Sequence, residues 1–288
     1  MYLPGTDLDG RQAQLGPVRF GVVDYDGVAW VLQELEGWDS AEVRAELRQR
    51  QADHGAWPAP VYLGERPVTL AGKILAPDLE QLDAAVEQLL AAAALTDTPL
   101  IVFETVPKQA TVRRSGKPLV RYVTDQVAEW SVLVTAADPR RYSTVLHSQL
   151  AALPSVTGGL TPPLTPPLLV DAVTVEGAIT AHNEGTLGTR PVLTITGPVT
   201  SPRVLVQYDT GAVQTLAYSQ DLAAGEQLVI DTDAHTVMVD GTASRRRWLS
   251  TPSGWPEIPP ASTVTFLYRA ALYNSTTTLT AEWRSAWI

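Results

Sequence analysis

None of the 288 residues is a cysteine. Disulfides, thiolate zinc sites and cysteine nucleophiles are therefore excluded together, and the composition suits folding in a bacterial cytosol. Basic residues are also scarce: 21 Lys and Arg stand against 31 Asp and Glu, giving a formal net charge of −10 and a pI of about 4.9. A surface of that sign repels phosphate backbones, so no specific nucleic-acid recognition is expected. There is no glycine-rich phosphate loop. The most apolar helical piece, "LLAAAAL" at 89–95, falls far short of the ~20 residues of a membrane span, so no membrane insertion is expected. The N-terminal "MYLPGTDLDGRQAQLG" has no basic region followed by an apolar run, so no signal peptide is read and synthesis in the cytosol is expected.

Catalytic patterns are missing as well. His54, His147, His182 and His235 lie far apart, and none belongs to an H-x-x-x-H pair or a G-x-S-x-G context. Carboxylates are plentiful, but nothing in the sequence brings two of them to the roughly 5–10 Å a glycosidase needs. The expectation is a non-enzyme with no catalytic residue and no cofactor. The best metal candidate is "IDTDAHTV", where Asp231, Asp233 and His235 alternate. Turns collect Asp for backbone reasons, so "DTDAH" reads as a hairpin turn and no metal is expected. "SRRRW" (244–248) and "VRRSGK" (112–117) are the basic clusters and read as solvated turns. "NST" at 274–276 fits the glycosylation pattern, incidentally in the absence of a secretory signal.

What is present is material for ordinary cores: 45% hydrophobic and 18% charged residues. The length suggests two domains. "RFGVVDYDGVAWVLQEL" (19–35) is β-rich with a turn at Asp24–Gly27. "DSAEVRAELRQRQ" (39–51) has the Asp39–Glu42 spacing of a capping box and predicts a peripheral helix, with only Val43 and Leu47 apolar. "HGAWPAP" (54–60) predicts a loop. "RPVTLAGKILAP" (66–77) predicts a half-buried strand with Val68, Leu70, Gly72 and Ile74 on one face. Leu79, Leu82, Val86, Leu89, Leu90 and Ala93 recur at helical spacing, after Asp78 as cap and Gln81 as its partner. Three strands follow, at 99–106, 119–124 and 127–138. The last lines Ala128, Trp130, Val132, Val134 and Ala136 along one face. One helix against several antiparallel strands is an α+β domain.

"LPSVTGGLTPPLTPPLL" (153–169) holds five prolines and two glycines and reads as a semi-rigid connector. Beyond it lie only short β-runs at roughly 8–12-residue spacing, the mark of an all-β sandwich. The expected domains are thus 1–150, α+β, and 151–288, the linker followed by a sandwich. Tryptophan is the most informative residue type. Trp38 and Trp57, with His54, fall in a long loop region before the strong helix. Long loops in compact domains are usually functional, and aromatics are enriched at interfaces. Trp38, His54 and Trp57 are therefore the candidate inter-subunit contacts.

The run "YLGERPVTLAGKILAPDLEQLDAAVEQLLAA", the strand end "VTAADPRRY" at 134–142, "NEGTLGTRPVLTITGPVTSPRV" and "LAAGEQLVIDTDAHTVMVDG" together resemble the distal tail protein family of siphophages over nearly the whole chain. The sequence departs at "IPPAS" (258–262), where a Pro-Gly turn is expected. The resemblance implies a tail-tube-like β-barrel or sandwich with one main helix, followed by an outward-projecting galectin-like β-sandwich. It implies a homohexameric ring in the virion's tail tip, in contact with the tail tube protein and the tail-tip hub protein, through which DNA passes. Two other readings stay open here: a carbohydrate-binding tail module that recognises a host-surface glycan, and a tail-associated glycan hydrolase.

Overall fold

The computed structural model describes residues 12–45, 47–157 and 173–288. The chain forms two compact units, one ending at Thr144 and including Ile288, the other spanning Val145–Trp287. Among the described residues the fold is β-rich with a single α-helix, and no helix is long and apolar enough to cross a membrane.

The first unit begins with β1 (Gln12–Leu15), β2 (Val18–Phe20), β3 (Val22–Val23) and β4 (Ala29–Glu36). Short strands β5 (Val43–Arg44), β6 (Leu47–Gln49), β7 (Ala56–Pro58) and β8 (Tyr62–Leu63) precede β9 (Arg66–Leu75) and helix α1 (Leu79–Ala92). Then come β10 (Thr98–Phe103), β11 (Lys108–Arg114), β12 (Leu119–Thr124), β13 (Val127–Ala136) and β14 (Arg141–Ser143). Pairing runs β2-β1-β10-β11-β13-β9-β4-β3. Only Gly21 separates the two ends of this path, and its N–H donates to the Trp30 carbonyl at 2.6 Å, so the sheet returns on itself.

Period-two alternation decides what faces inward. Val68, Leu70 and Ile74 of β9 and Ala128, Trp130, Val132, Val134 and Ala136 of β13 are all buried, as the alternating pattern predicts. β9 and β13 pair along ten residues. Phe20 stacks on Trp130 with centroids 4.6 Å apart and meets Trp30 edge-on at 6.1 Å. Helix α1 starts at Asp78, whose carboxylate accepts from the Gln81 N–H at 2.9 Å. It buries Leu82, Ala85, Val86, Leu89 and Ala92.

Two local expectations fail here. Residues 39–51 are not a helix, and 54–60 are not irregular loop. β5 pairs with β8 and β6 with β7, all antiparallel. A helix with Val43 and Leu47 as its sole apolar stripe buries too little to outweigh its own ordering cost. The backbone groups find cross-strand partners instead, and Pro58 sits at the end of its short strand, where a missing N–H costs nothing in the ladder.

The second unit is a two-sheet sandwich. Its strands are β15 (His147–Ala152), β16 (Ser155–Thr157), β17 (Val173–Val175), β18 (Ala178–Asn183), β19 (Val192–Thr196), β20 (Arg203–Tyr208) and β21 (Val213–Tyr218). They continue with β22 (Gln227–Asp231), β23 (Thr236–Val239), β24 (Ala243–Ser244), β25 (Leu249–Ser250), β26 (Ser262–Arg269) and β27 (Thr278–Trp283). One sheet has the order β15-β27-β19-β22-β23-β24 and the other β18-β26-β20-β21-β25. Leu193, Ile195, Val206, Leu228, Phe266 and Leu279 are among the alternating residues that fill the space between them.

The boundary expected at 150/151 falls between Thr144 and Val145. β15 pairs with β27 over six residues, from His147↔Trp283 to Ala152↔Thr278, and Leu153 is buried in the second core. The β16–β17 ladder then brackets residues 158–172. Both flanks of the proline-rich stretch therefore lie in the second unit, so it does not join the two units. Residues 158–169 of that stretch lie outside the described residues.

One amide organises the entry to the sandwich. Asn183 is fully buried; its Nδ2 donates to the carbonyls of Leu187 (2.8 Å), Ile258 (3.1 Å) and Pro259 (3.1 Å). Its Oδ1 accepts from the N–H groups of Gly185 (3.0 Å) and Ala286 (3.2 Å). A Cβ at Gly185 would lie 1.7 Å from the Ala286 carbonyl oxygen, so only glycine fits. At the "IPPAS" departure, Ala261 adopts φ +46° with its N–H donating to the Gly185 carbonyl at 3.0 Å. Alanine thus occupies a left-handed position that favours glycine, at a cost of roughly 1–2 kcal/mol offset in part by its smaller unfolded-state entropy. Ala261→Gly is expected to stabilise the second unit by about 0.5–1 kcal/mol, read as a raised denaturation midpoint. Gly185→Ala, measured in the same way, is expected to lower it sharply.

Candidate functional site

The most exposed apolar side chains near the predicted contact region lie on an arm. The β5–β8 and β6–β7 ladders share one hairpin course, which turns at Gly55 with φ +90°. Along it Val43, Trp57, Val61 and Tyr62 are each about 60% exposed. The Arg50 guanidinium lies 4.5 Å from the Trp57 ring centroid and within 3.4 Å of Asp53. His54 is exposed beside the turn, where its own N–H donates to Asp53 Oδ1 at 2.8 Å. Two-stranded ribbons are marginal alone. A ribbon that holds out four large apolar groups has the character of an interaction surface.

Trp38 is different. It is fully buried in the first core, with its Nε1 donating to Glu104 Oε1 at 2.7 Å. Of the three candidate contacts, Trp57 and His54 share the arm, whereas Trp38 is packed inside the unit and presents no surface to a neighbour. Its sequence context gave no hint of this, because its acceptor lies 66 residues away.

Trp38 belongs instead to the arm's root. The arm leaves the barrel after Gly37-Trp38-Asp39 and returns at Arg66. Arg66 is fully buried; its Nη1 donates to the Trp38 carbonyl at 2.5 Å and its Nε to the Pro139 carbonyl at 2.8 Å. Gly37 takes φ +81°, and a Cβ there would meet the Pro67 carbonyl oxygen at 2.1 Å. The "DPRRY" stretch completes the root. Asp138 accepts from Arg140 Nη1 (3.1 Å) and from the Tyr142 hydroxyl (2.6 Å). Arg141 Nη1 lies 3.7 Å from both Asp39 and Glu104. The sequence singled out "RPVTLAGKI" and "DPRRY" as motifs; it did not reveal that they meet, or that Val43, Val61 and Tyr62 face solvent.

Charge at the root follows from these contacts. Burial, then the neighbouring charge of Arg141, pushes the Arg66 guanidinium down to about 10, and it stays protonated at neutral pH. For Glu104, burial would raise the carboxyl. Hydrogen bonds from Lys108 and Trp38, with the charges of Lys108 and Arg141, outweigh it and hold the group below its ordinary value.

In the second unit, the three residues weighed as metal ligands go to different partners. Asp231 Oδ1 accepts from the N–H groups of Asp233 and Ala234, both at 2.9 Å, which makes it a turn former. Asp233 pairs with Arg190 at 3.2 Å. His235, at φ +57°, stacks on Trp255 with centroids 4.8 Å apart. No cluster of potential ligands occurs among the described residues.

Residues 184–287 match the siphovirus-type tail component, C-terminal domain. That domain begins one residue after Asn183 and takes in the loop that this side chain clamps. The fold of the whole chain is similar to that of the Dit protein of phage SPP1, at TM-score 0.60 and 12% identity, over 89% of this chain and 93% of that one. Dit is described as a paradigm of the hub adsorption apparatus in phages that infect Gram-positive bacteria. A chain of the phage P2 baseplate in its activated conformation is also similar, at TM-score 0.50 and 9% identity, over 94% of this chain and 97% of that one. By sequence, no curated relative matches. The resemblance to siphophage distal tail proteins is thus found again, in the family match of the second unit and in the fold of the chain as a whole.

Two outcomes follow from the root. Arg66→Met leaves two buried carbonyls without donors and is expected to cost about 3 kcal/mol in denaturant unfolding. Glu104 has a lowered folded-state value, so its stabilisation is fully present above the ordinary carboxylate range and is lost as pH falls through that lowered value. Glu104→Gln is therefore expected to be less stable than the parent at neutral pH, with the difference closing in acid; unfolding free energies across the acid limb check this.

Proposed function

We propose that the chain is a structural component of a siphophage tail, the distal tail protein, which assembles with copies of itself into a ring at the tail tip. The carrying observation is the fold likeness to SPP1 Dit across nearly the full length of both chains, joined to the family match of residues 184–287. In this reading the first unit is a tail-tube-like barrel that forms the ring, six-fold by analogy, and the second is a galectin-like sandwich. The ring joins the tail tube protein to the tail-tip hub protein, and DNA passes through it. The chain works by shape and association, without catalysis. An acidic protein also suits the wall of a path for a moving polyanion, since like charges do not bind.

The arm supplies the ring contact. A heterologous contact that closes on itself repeats each interaction at every interface. Trp57, rigidly presented beside Arg50, is the kind of residue that carries such a contact, worth about 2 kcal/mol or more. Native mass measurement on the full chain is expected to give an assembly far above the 31.0 kDa monomer. Because the ring of Trp57 is largely solvent-exposed, Trp57→Ala should leave the thermal midpoint unchanged. It should raise the concentration needed for assembly by about 30-fold or more. A parent that stays monomeric at high concentration overturns the ring; assembly unaffected by Trp57→Ala overturns the arm's part in it.

A further inference from the structure

At the outer edges of the two sheets of the second unit, the end of β21 comes near β23 and the "SRRRW" stretch. A cavity of about 220 Å³ opens there, lined by Tyr218, Gln220, Asp221, Glu226, Arg245 and Trp248, with Leu222 and Val239 as its apolar part. We propose that this cavity is a saccharide subsite that takes a single pyranose ring.

Tyr218 is the first reason. Its side chain is only 3% exposed, and no hydrogen bond engages its hydroxyl among the described residues. Buried hydroxyls nearly always have a partner, supplied by protein, water or ligand, because an unmet one is costly. Here the residue lines a cavity large enough to hold that partner. Burial, ahead of the opposing charges of Arg245 and Glu226, holds its phenol above the ordinary value, so it is a neutral donor and acceptor at physiological pH.

The second reason is the balance of the polar groups. Asp221 spends one carboxylate oxygen on the Ser201 N–H at 3.1 Å, and Glu226 spends one on the Ala223 N–H at 2.7 Å. Each carboxylate is thereby fixed in place with an oxygen to spare. Arg245 has no hydrogen bond or ion pair among the described residues; its guanidinium lies 5.0 Å from the Trp248 ring centroid. The cavity thus offers fixed acceptors, a cationic donor and a hydroxyl that does both. A simple anion meets two carboxylates, a simple cation meets Arg245, and an apolar ligand leaves all of them unmet. A ring of hydroxyls, each able to donate and accept, satisfies the whole set.

The third reason is shape. The volume lies below the roughly 300–1,000 Å³ of sites for drug-sized ligands, which limits the occupant to about one sugar ring. Trp248 is held by Arg247, whose guanidinium sits 3.8 Å from its ring centroid, and gives the cavity an aromatic wall for the C–H face of such a ring. The site stands independently of the ring assembly: a sugar would bind here in a monomer or in a virion.

Titration of the full chain with D-glucose, D-galactose, N-acetyl-D-glucosamine and L-rhamnose, followed by calorimetry and ligand-observed NMR, tests this. At least one is expected to bind saturably at one site per chain, with a Kd of about 1 mM. Tyr218→Phe keeps the buried ring and removes only the hydroxyl; it should fold with an unchanged thermal midpoint and weaken that binding roughly 3- to 10-fold. Arg245→Gln should weaken it by at least as much. The proposal is overturned if no pyranose binds at tens of millimolar, or if Tyr218→Phe binds as well as the parent. Equal binding of inorganic phosphate, which would mark an anion site, or of glycerol also overturns it.

Discussion

Arg66 donates from a fully buried guanidinium to the carbonyls of Trp38 and Pro139, and so ties three distant stretches of the first unit at one point. One stretch is the exit of the arm, the second its return, and the third the turn that ends β13. Burying a guanidinium is expensive unless its donors are met. Once met by main-chain oxygens, it fixes backbone positions directly. The surrounding residues fall in line: Gly37 is needed for the close approach, Trp38 closes over Glu104, and Arg141 lies beside both carboxylates of the root. A hairpin of short ladders with no core of its own can be held out from a barrel only if its base is this well determined.

The second unit repeats the device with a neutral group. Asn183 uses both ends of its amide on five main-chain partners, so the loop after β18, the approach to β26 and the segment beyond β27 share one anchor. In both units, buried side chains recognise backbone, not other side chains. Main-chain acceptors are present whatever the sequence, so a fold pinned in this way tolerates wide substitution elsewhere. That is consistent with a fold likeness to SPP1 Dit at 12% identity.

The two units differ in where they leave apolar surface uncovered. In the first it is concentrated on the arm, at Val43, Trp57, Val61 and Tyr62. The sandwich carries its aromatic and cationic groups close together: Trp248 lies under Arg245 and Arg247, and Trp255 lies against His235 and Arg246. The first arrangement suits protein docking, where an aromatic anchor enters a neighbour's pocket. The second suits ligands that need fixed polar groups around an aromatic wall.

Regular periodicity in the sequence was enough to specify β9, β13 and α1, because their buried faces repeat every two or every three to four residues and nothing else competes for them. The Asp24–Gly27 and Asp231–His235 turns were legible for a local reason, since Asp and Gly act on backbone within a few residues. Residues 39–63 were misread because local signals there are weak: a capping pattern without an apolar stripe, and prolines at the end of a short strand. Trp38 was misplaced because its burial depends on Glu104 and Arg66, far away in the chain. The unit boundary moved for the same reason, since only the pairing of β15 with β27, about 130 residues apart, decides which core owns Val145–Ala152. Local patterning, then, determined the elements, the turns and the sparse chemistry. Tertiary structure alone decided which polar groups were buried together, because desolvation is a property of the assembled interior and leaves no trace in the order of residues.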